Sequence, residues 1–163
     1  MRRYLTAITW TLALGALVVL TPVPADATGW GPRVGVTMDP DQIHFGAHAY
    51  MGDVSKRIRF QPNVEVGMGD DLTVAALNFE AVYRFAENWD VWSPYAGGGV
   101  GLNWYSWDDG GVPGRDDSEM EAGLNLVGGI EKGLDGGDRF LLEVKLGVGD
   151  SPEMKITAGW TFF

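Results

Sequence analysis

Eight times along this chain, apolar and polar residues alternate nearly one for one, and each run ends at a cluster of Gly, Pro or Asp. Period two is the signature of a strand with two unlike faces, and recurrent turn signals break such a pattern into hairpins. The runs are 33–38, 43–51, 57–68, 72–85, 94–107, 119–133, 139–149 and 154–163. In the last, Met154, Ile156, Ala158, Trp160 and Phe162 share one phase, against Lys155, Thr157, Gly159 and Thr161. Pro62 interrupts the third run and suits a bulge or an edge. No stretch keeps a helical period, and Gly and Pro recur too often for a long helix. A flat sheet of eight strands leaves bare edges, whereas closure removes them and encloses an interior that side chains can fill. The expectation is one all-β domain, an eight-stranded antiparallel up-and-down barrel over 28–163.

Residues 1–27 read differently. Arg2 and Arg3 precede an uncharged apolar run from Leu5 to Leu20, then Pro22, Pro24 and a small-x-small site at Ala25-Asp26-Ala27. This order predicts a cleaved signal peptide and export. The run is short of the ~20 residues that span a bilayer as a helix. Loss of Arg2, Arg3 and Asp26 with the leader moves the formal net charge from −10 to −11. So acidic a chain is a poor match for nucleic acid, which wants a basic face. The absence of cysteine excludes a disulfide framework and thiolate metal sites. No metal or cofactor is expected.

The two phases differ in chemistry. One carries Val, Ile, Leu, Ala, Phe and Trp. The other carries Arg33, Arg59, Glu65, Glu80, Arg84, Glu131, Glu143, Lys145 and Lys155, interspersed with Gly and Asn. A soluble barrel puts the apolar phase inside; a membrane barrel inverts this. Small residues alternating with long ions suit a narrow filled lumen. Because an unpaired buried charge costs several kcal/mol, those nine ions are expected to form a lumen charge network. If the chain starts on the periplasmic side, Trp30, Tyr83, Phe85, Trp89, Trp92, Phe140, Trp160 and Phe162 cluster at the periplasmic rim, and Trp104 and Trp107 near the outer rim. Aromatic girdles at both interfaces are expected of membrane barrels. The longest connection, 108–118, then falls outside. With Asp108, Asp109, Asp116, Asp117 and Glu119 nearby it is acidic, but its spacing matches no calcium loop, and a solvated loop is expected.

The run Trp92-Ser93-Pro94-Tyr95-Ala96-Gly97-Gly98-Gly99-Val100-Gly101, with the leader, the eight alternating runs and the aromatic last strand, resembles the small eight-stranded outer-membrane barrels of the OmpA/OmpX type. The resemblance spans 28–163. It implies a transmembrane barrel in the outer membrane of a Gram-negative-type envelope, in contact with lipid. It also implies insertion by a barrel-assembly machinery that reads the last strand, here Ile156, Ala158, Trp160, Phe162 and Phe163. It implies no single activity, because the family includes structural barrels, adhesins and lipid-modifying enzymes. Family members carry the terminal Phe on the apolar phase, whereas Phe163 falls on the polar one. Trp160 and Phe162 are therefore expected to face lipid, with Phe163 frayed or turned inward.

Catalytic candidates are sparse. His44 and His48 share a face but stand roughly 13 Å apart along a strand, too far to chelate one metal. Acyl-transferring or deacylating barrels use His with Ser or an acid near the membrane surface; here only Ser106 is a nearby hydroxyl candidate for His44. The glycines at 97–101 lack the following Lys-Ser/Thr and helix of a phosphate loop, and suit close packing or bending instead. The expected function is that of a non-enzymatic, monomeric outer-membrane barrel with a polar, plugged lumen and a structural or surface-interaction role. Two alternatives stand beside it: a lipid A acyltransferase or deacylase, and a secreted soluble barrel that binds a small apolar ligand with Trp30 and Trp160 at its pocket.

Overall fold

The computed structural model describes residues 28–107 and 118–163. The expected signal peptide and the Asp residues of the acidic loop lie outside these described residues. Nine strands follow in order: β1 (Thr28–Met38), β2 (Gln42–Met51), β3 (Asp53–Ser55), β4 (Ile58–Met68), β5 (Leu72–Arg84), β6 (Trp92–Trp107), β7 (Ser118–Gly133), β8 (Arg139–Gly149) and β9 (Met154–Thr161). Each long strand pairs antiparallel with its sequence neighbour, and two further pairings complete the ring. These are β1 with β9, from Arg33↔Gly159 to Met38↔Met154, and β2 with β4, from Ile43↔Met68 to His48↔Asn63. The result is a closed, eight-stranded, up-and-down antiparallel barrel. β3 stands outside that count, a short flap paired with the start of β4.

Strand positions follow the alternation closely, and the departures have local causes. β1 begins five residues before the expected run, and Gly29 and Gly31 let it approach the end of the chain closely. A Cβ at Gly31 would lie 1.5 Å from the Trp160 carbonyl oxygen. β6 begins at Trp92 because Trp89 and Trp92 exchange two backbone hydrogen bonds, of 2.8 and 3.1 Å, which tighten the expected linker. Pro62 falls where the β2–β4 ladder has already ended at Asn63, so one flank is free of ladder bonds.

The closed ring decides which phase is inside. Arg33, Glu65, Glu143 and Lys145 are each 2% exposed. Val34, Phe45, Leu126 and Leu146, on the opposite phase, are 45–56% exposed. Charge is inside and hydrocarbon outside, the reverse of a soluble barrel. The barrel has two ends. The loop rim carries the turns 39–41, 69–71 and 150–153. The terminal rim carries Thr28, the connections 52–57, 85–91 and 134–138, and Phe163.

Candidate functional site: the lumen and the rims

Inside the barrel the strand phases bring six of the nine expected ions into one cluster. Arg33 of β1 reaches Glu65 of β4 at 3.2 Å and also binds Glu143 of β8. Lys145 meets Glu80 at 2.6 Å and Glu65 at 3.5 Å. Lys155 meets Glu65 at 2.8 Å. Three cations and three carboxylates balance. Buried ions persist only when paired and hydrogen-bonded in this way. Neutral groups complete the shell. Gln61 and Tyr95 donate to Glu143 at 3.0 and 2.9 Å, and Asn63 donates to Glu80 at 2.9 Å. An amide ladder runs across the wall: Asn125 donates to Asn78 at 2.8 Å, and Asn78 to Asn63 at 2.9 Å. Glycines on the inward phase leave room for these groups. A Cβ at Gly101 would stand 2.7 Å from the Asn78 side-chain oxygen, and one at Gly129 would stand 2.4 Å from the Tyr95 ring.

A second cluster lies toward the terminal rim. Glu131 accepts from Arg59 at 2.7 Å and from Arg139 at 2.8 Å. The Arg59 guanidinium also stacks 3.6 Å from the centre of the Tyr50 ring. Arg139 was not among the expected network residues, yet it continues the inward phase of Glu143 and Lys145 by two further steps. Tyr95 is inward for the same reason, opposite the glycines of β7. Arg84 departs from expectation. It sits at the end of β5, where its phase opens onto the rim, and it pairs with Asp53 of β3 at 2.5 Å, apart from both clusters.

Both histidines lie against threonine hydroxyls. The two ring nitrogens of His44 lie 2.9 Å from the hydroxyls of Thr37 and Thr157, and His48 Nε2 lies 2.8 Å from the Thr161 hydroxyl. His44 is fully buried on the lumen side. Ser106 belongs to the opposite, outward phase of β6, so the candidate pairing of His44 with Ser106 is not formed.

On the outside, aromatic rings form a continuous belt at the terminal rim. Centroid distances are 6.3 Å for Trp92–Phe140, 6.3 Å for Phe140–Trp160, 6.4 Å for Trp160–Phe162 and 5.8 Å for Phe162–Trp30. Tyr83 and Phe85 make a further edge-on pair at 5.5 Å, and Trp89 lies exposed in the connection beside Trp92. At the loop rim Trp104 faces outward, but Trp107 does not join it. Trp107 shares the inward phase with Tyr105, 6.0 Å away, and lines the mouth. The expected outer girdle is therefore reduced to Trp104 among the described residues, because one residue of phase separates mouth from wall.

The last strand divides in the same way. Ile156, Ala158 and Trp160 point outward, and Phe162 extends their line through paired backbone bonds to Trp30 of 2.8 and 3.0 Å. Phe163 turns to the mouth, its ring centre 5.9 Å from that of Tyr50 and 5.1 Å from the Arg139 guanidinium.

Charge is unequal between the rims. Asp39, Asp41, Asp70, Asp71, Glu119, Glu121, Asp150 and Glu153 surround the loop rim, with no Lys or Arg there among the described residues. Lys56, Arg57, Arg84, Lys132 and Arg139 all lie at the terminal rim, intermixed with acids.

No family model matches the chain, and no curated protein matches it in sequence. Solved structures do share its fold. Neisserial surface protein A aligns with a TM-score of 0.62 at 13% identity, over 82% of this chain and 94% of that one. The N-terminal β-barrel domain of Pseudomonas aeruginosa OprF aligns with a TM-score of 0.60 at 10% identity, over 83% and 96%. The Yersinia pestis outer membrane protein Ail aligns with a TM-score of 0.51 at 10% identity, over 83% and 99%. At these identities the likeness is one of fold, and the fold is that of the small eight-stranded outer-membrane β-barrels.

Proposed function

From the premise of that shared fold, we propose that the chain is a non-enzymatic outer-membrane barrel, exported by a cleaved leader over 1–27 and inserted by the barrel-assembly machinery. Its lumen is closed to solutes by the Arg33–Glu65–Glu143 cluster and the side chains around it. Its role is structural or one of surface interaction through the acidic loop rim, and it acts as a monomer. The observation that carries this reading is the inversion of the two phases: a wall of exposed Val, Leu, Ile and Phe has a favourable solvent only in lipid, and the buried ions are paired. The same inversion weighs against a soluble barrel with an apolar pocket. The burial and full engagement of His44 weigh against a lipid-modifying site at that residue.

The test is fractionation of cells expressing the full chain, followed by gels of boiled and unboiled samples. The expected result is recovery in the outer-membrane fraction, without residues 1–27, and with faster migration when unboiled. Recovery in the soluble exported fraction overturns the membrane reading. Reconstitution in planar bilayers tests the closed lumen: steady conductance of an open-pore size would overturn it.

A further inference from the structure

Two cavities meet at the terminal rim. One, of about 450 Å³, opens at the mouth and is lined by Lys56, Arg57, Arg84 and Arg139, together with Glu131, Ser93 and Phe85. The other, of about 580 Å³, is a groove on the outer wall between Phe85, Trp89, Pro94, Ile130 and Leu142. Its floor passes Gly128, where a Cβ would meet no atom within 4 Å. Phe85 lines both, so the polar cavity and the apolar groove adjoin.

The charges are only partly matched. Glu131 is already held by Arg59 and Arg139, Glu143 beneath the groove is held in the lumen by Arg33, Gln61 and Tyr95, and Arg84 is paired with Asp53. Glu87, at the end of the groove, is exposed in the connection 85–91. Lys56 and Arg57 have no carboxylate in salt-bridge range among the described residues, and the Arg84 Nε is buried without a hydrogen-bond partner there. A cationic cavity beside an apolar groove, both level with a belt of Trp and Phe, has the form of a ligand with an anionic head and a hydrocarbon tail.

We infer that this rim holds one anionic phospholipid, its headgroup phosphate among Lys56, Arg57, Arg84 and Arg139 and one acyl chain along the groove over Gly128. Guanidinium and ammonium donors suit phosphate oxygens, and basic residues near a bilayer surface favour anionic lipid. A free phosphate ester would use the cavity and ignore the groove. The inference rests on the membrane reading above. Failure of that reading appears as soluble protein, whereas failure of this site leaves an inserted, folded barrel with no lipid preference.

The experiment is native mass spectrometry of the detergent-extracted full-length protein with added phosphatidylglycerol, phosphatidylethanolamine or glycerol phosphate. One phosphatidylglycerol per barrel should be retained, in preference to phosphatidylethanolamine. The double variant K56Q/R57Q should lower its occupancy about tenfold, and Gly128→Leu, which fills the groove, should lower it by a similar factor. Lys56 and Arg57 are exposed and the Gly128 position is open, so both variants should keep the unboiled gel shift. Equal retention of the two lipids, or retention unchanged in either variant, overturns the site. Glycerol phosphate retained as firmly as phosphatidylglycerol and insensitive to Gly128→Leu overturns the lipid in favour of a free phosphate ester.

Discussion

Glu65 is the carboxylate on which the lumen cluster converges, and Glu65→Gln tests whether that cluster is a dry, paired assembly. Glu65 touches Arg33 at 3.2 Å, Lys145 at 3.5 Å and Lys155 at 2.8 Å. Removal of its charge does not orphan all three. Arg33 keeps Glu143, and Lys145 keeps Glu80 at 2.6 Å. Lys155 keeps no carboxylate among the described residues, and its side chain is 7% exposed. The loss is therefore that of one buried, uncompensated ammonium, about 3–5 kcal/mol. With a urea slope of about 2 kcal/mol/M, the unfolding midpoint of the barrel refolded into lipid vesicles should fall by about 2 M. Tryptophan fluorescence and the unboiled gel shift both read it. The double change Glu65→Gln with Lys155→Met removes the orphan and restores two cations against two carboxylates. It should recover most of the loss, because hydrophobic replacement of a buried pair is often neutral or better. If the single change lowers stability by less than about 1 kcal/mol, or the double is no better than the single, then water solvates Lys155 and the cluster is not a dry, paired assembly.

Two further outcomes are expected. Leu126→Arg, at the middle of the outward face of β7, should destabilise the vesicle-inserted barrel by about 2–4 kcal/mol, and Ile43→Arg, at the loop rim, by at most about 1 kcal/mol, because a lipid-facing charge is penalised by depth; equal urea midpoints would remove lipid from the outer wall. Gly129→Ala places a methyl 2.4 Å from the Tyr95 ring and should displace the tyrosine from Glu143, at about 1–3 kcal/mol. Part of this should return on Tyr95→Leu, and an unshifted midpoint for Gly129→Ala would mean that Tyr95 does not occupy the lumen at that height.

The barrel was legible because one signal, period two, is written in every strand and carries the inward and outward sets with it. Arg33, Glu65 and Lys155 are far apart in the chain and share nothing locally except phase, yet phase was enough to place them on one face, and the glycines among them and the sorted aromatics turned that face inward. What phase could not supply is height. Arg84 and Trp107 both lie on the inward phase, but at strand ends, where that phase opens onto a rim. Arg84 is thus captured by Asp53 of a flap that has no alternation of its own, and Trp107 joins Tyr105 at the mouth. Partner choice was equally hidden. Nothing in the sequence shows that Glu65 gathers three cations while Glu131 draws in Arg139, since both depend on how far the strands are staggered around the ring.

The register of the final hairpin bears on how such a barrel can come together at all. β8 and β9 set Lys145 directly opposite Lys155, two like charges side by side, which by itself disfavours the pairing. Their relief comes from Glu65, 90 residues before Lys155, and from Glu80 on the next strand. Arg33 of the first strand finds Glu65 only beyond β2, and its second carboxylate, Glu143, 110 residues on. The β7–β8 hairpin holds its own Glu131–Arg139 pair, but none of the six ions of the central cluster finds its counter-ion within one hairpin. A half-built sheet carries unreconciled charge, and only the ring as a whole is neutral at its centre. Closure is therefore favoured as a single cooperative event, and β9, which seals the ring against β1, is the strand that brings Lys155 to Glu65.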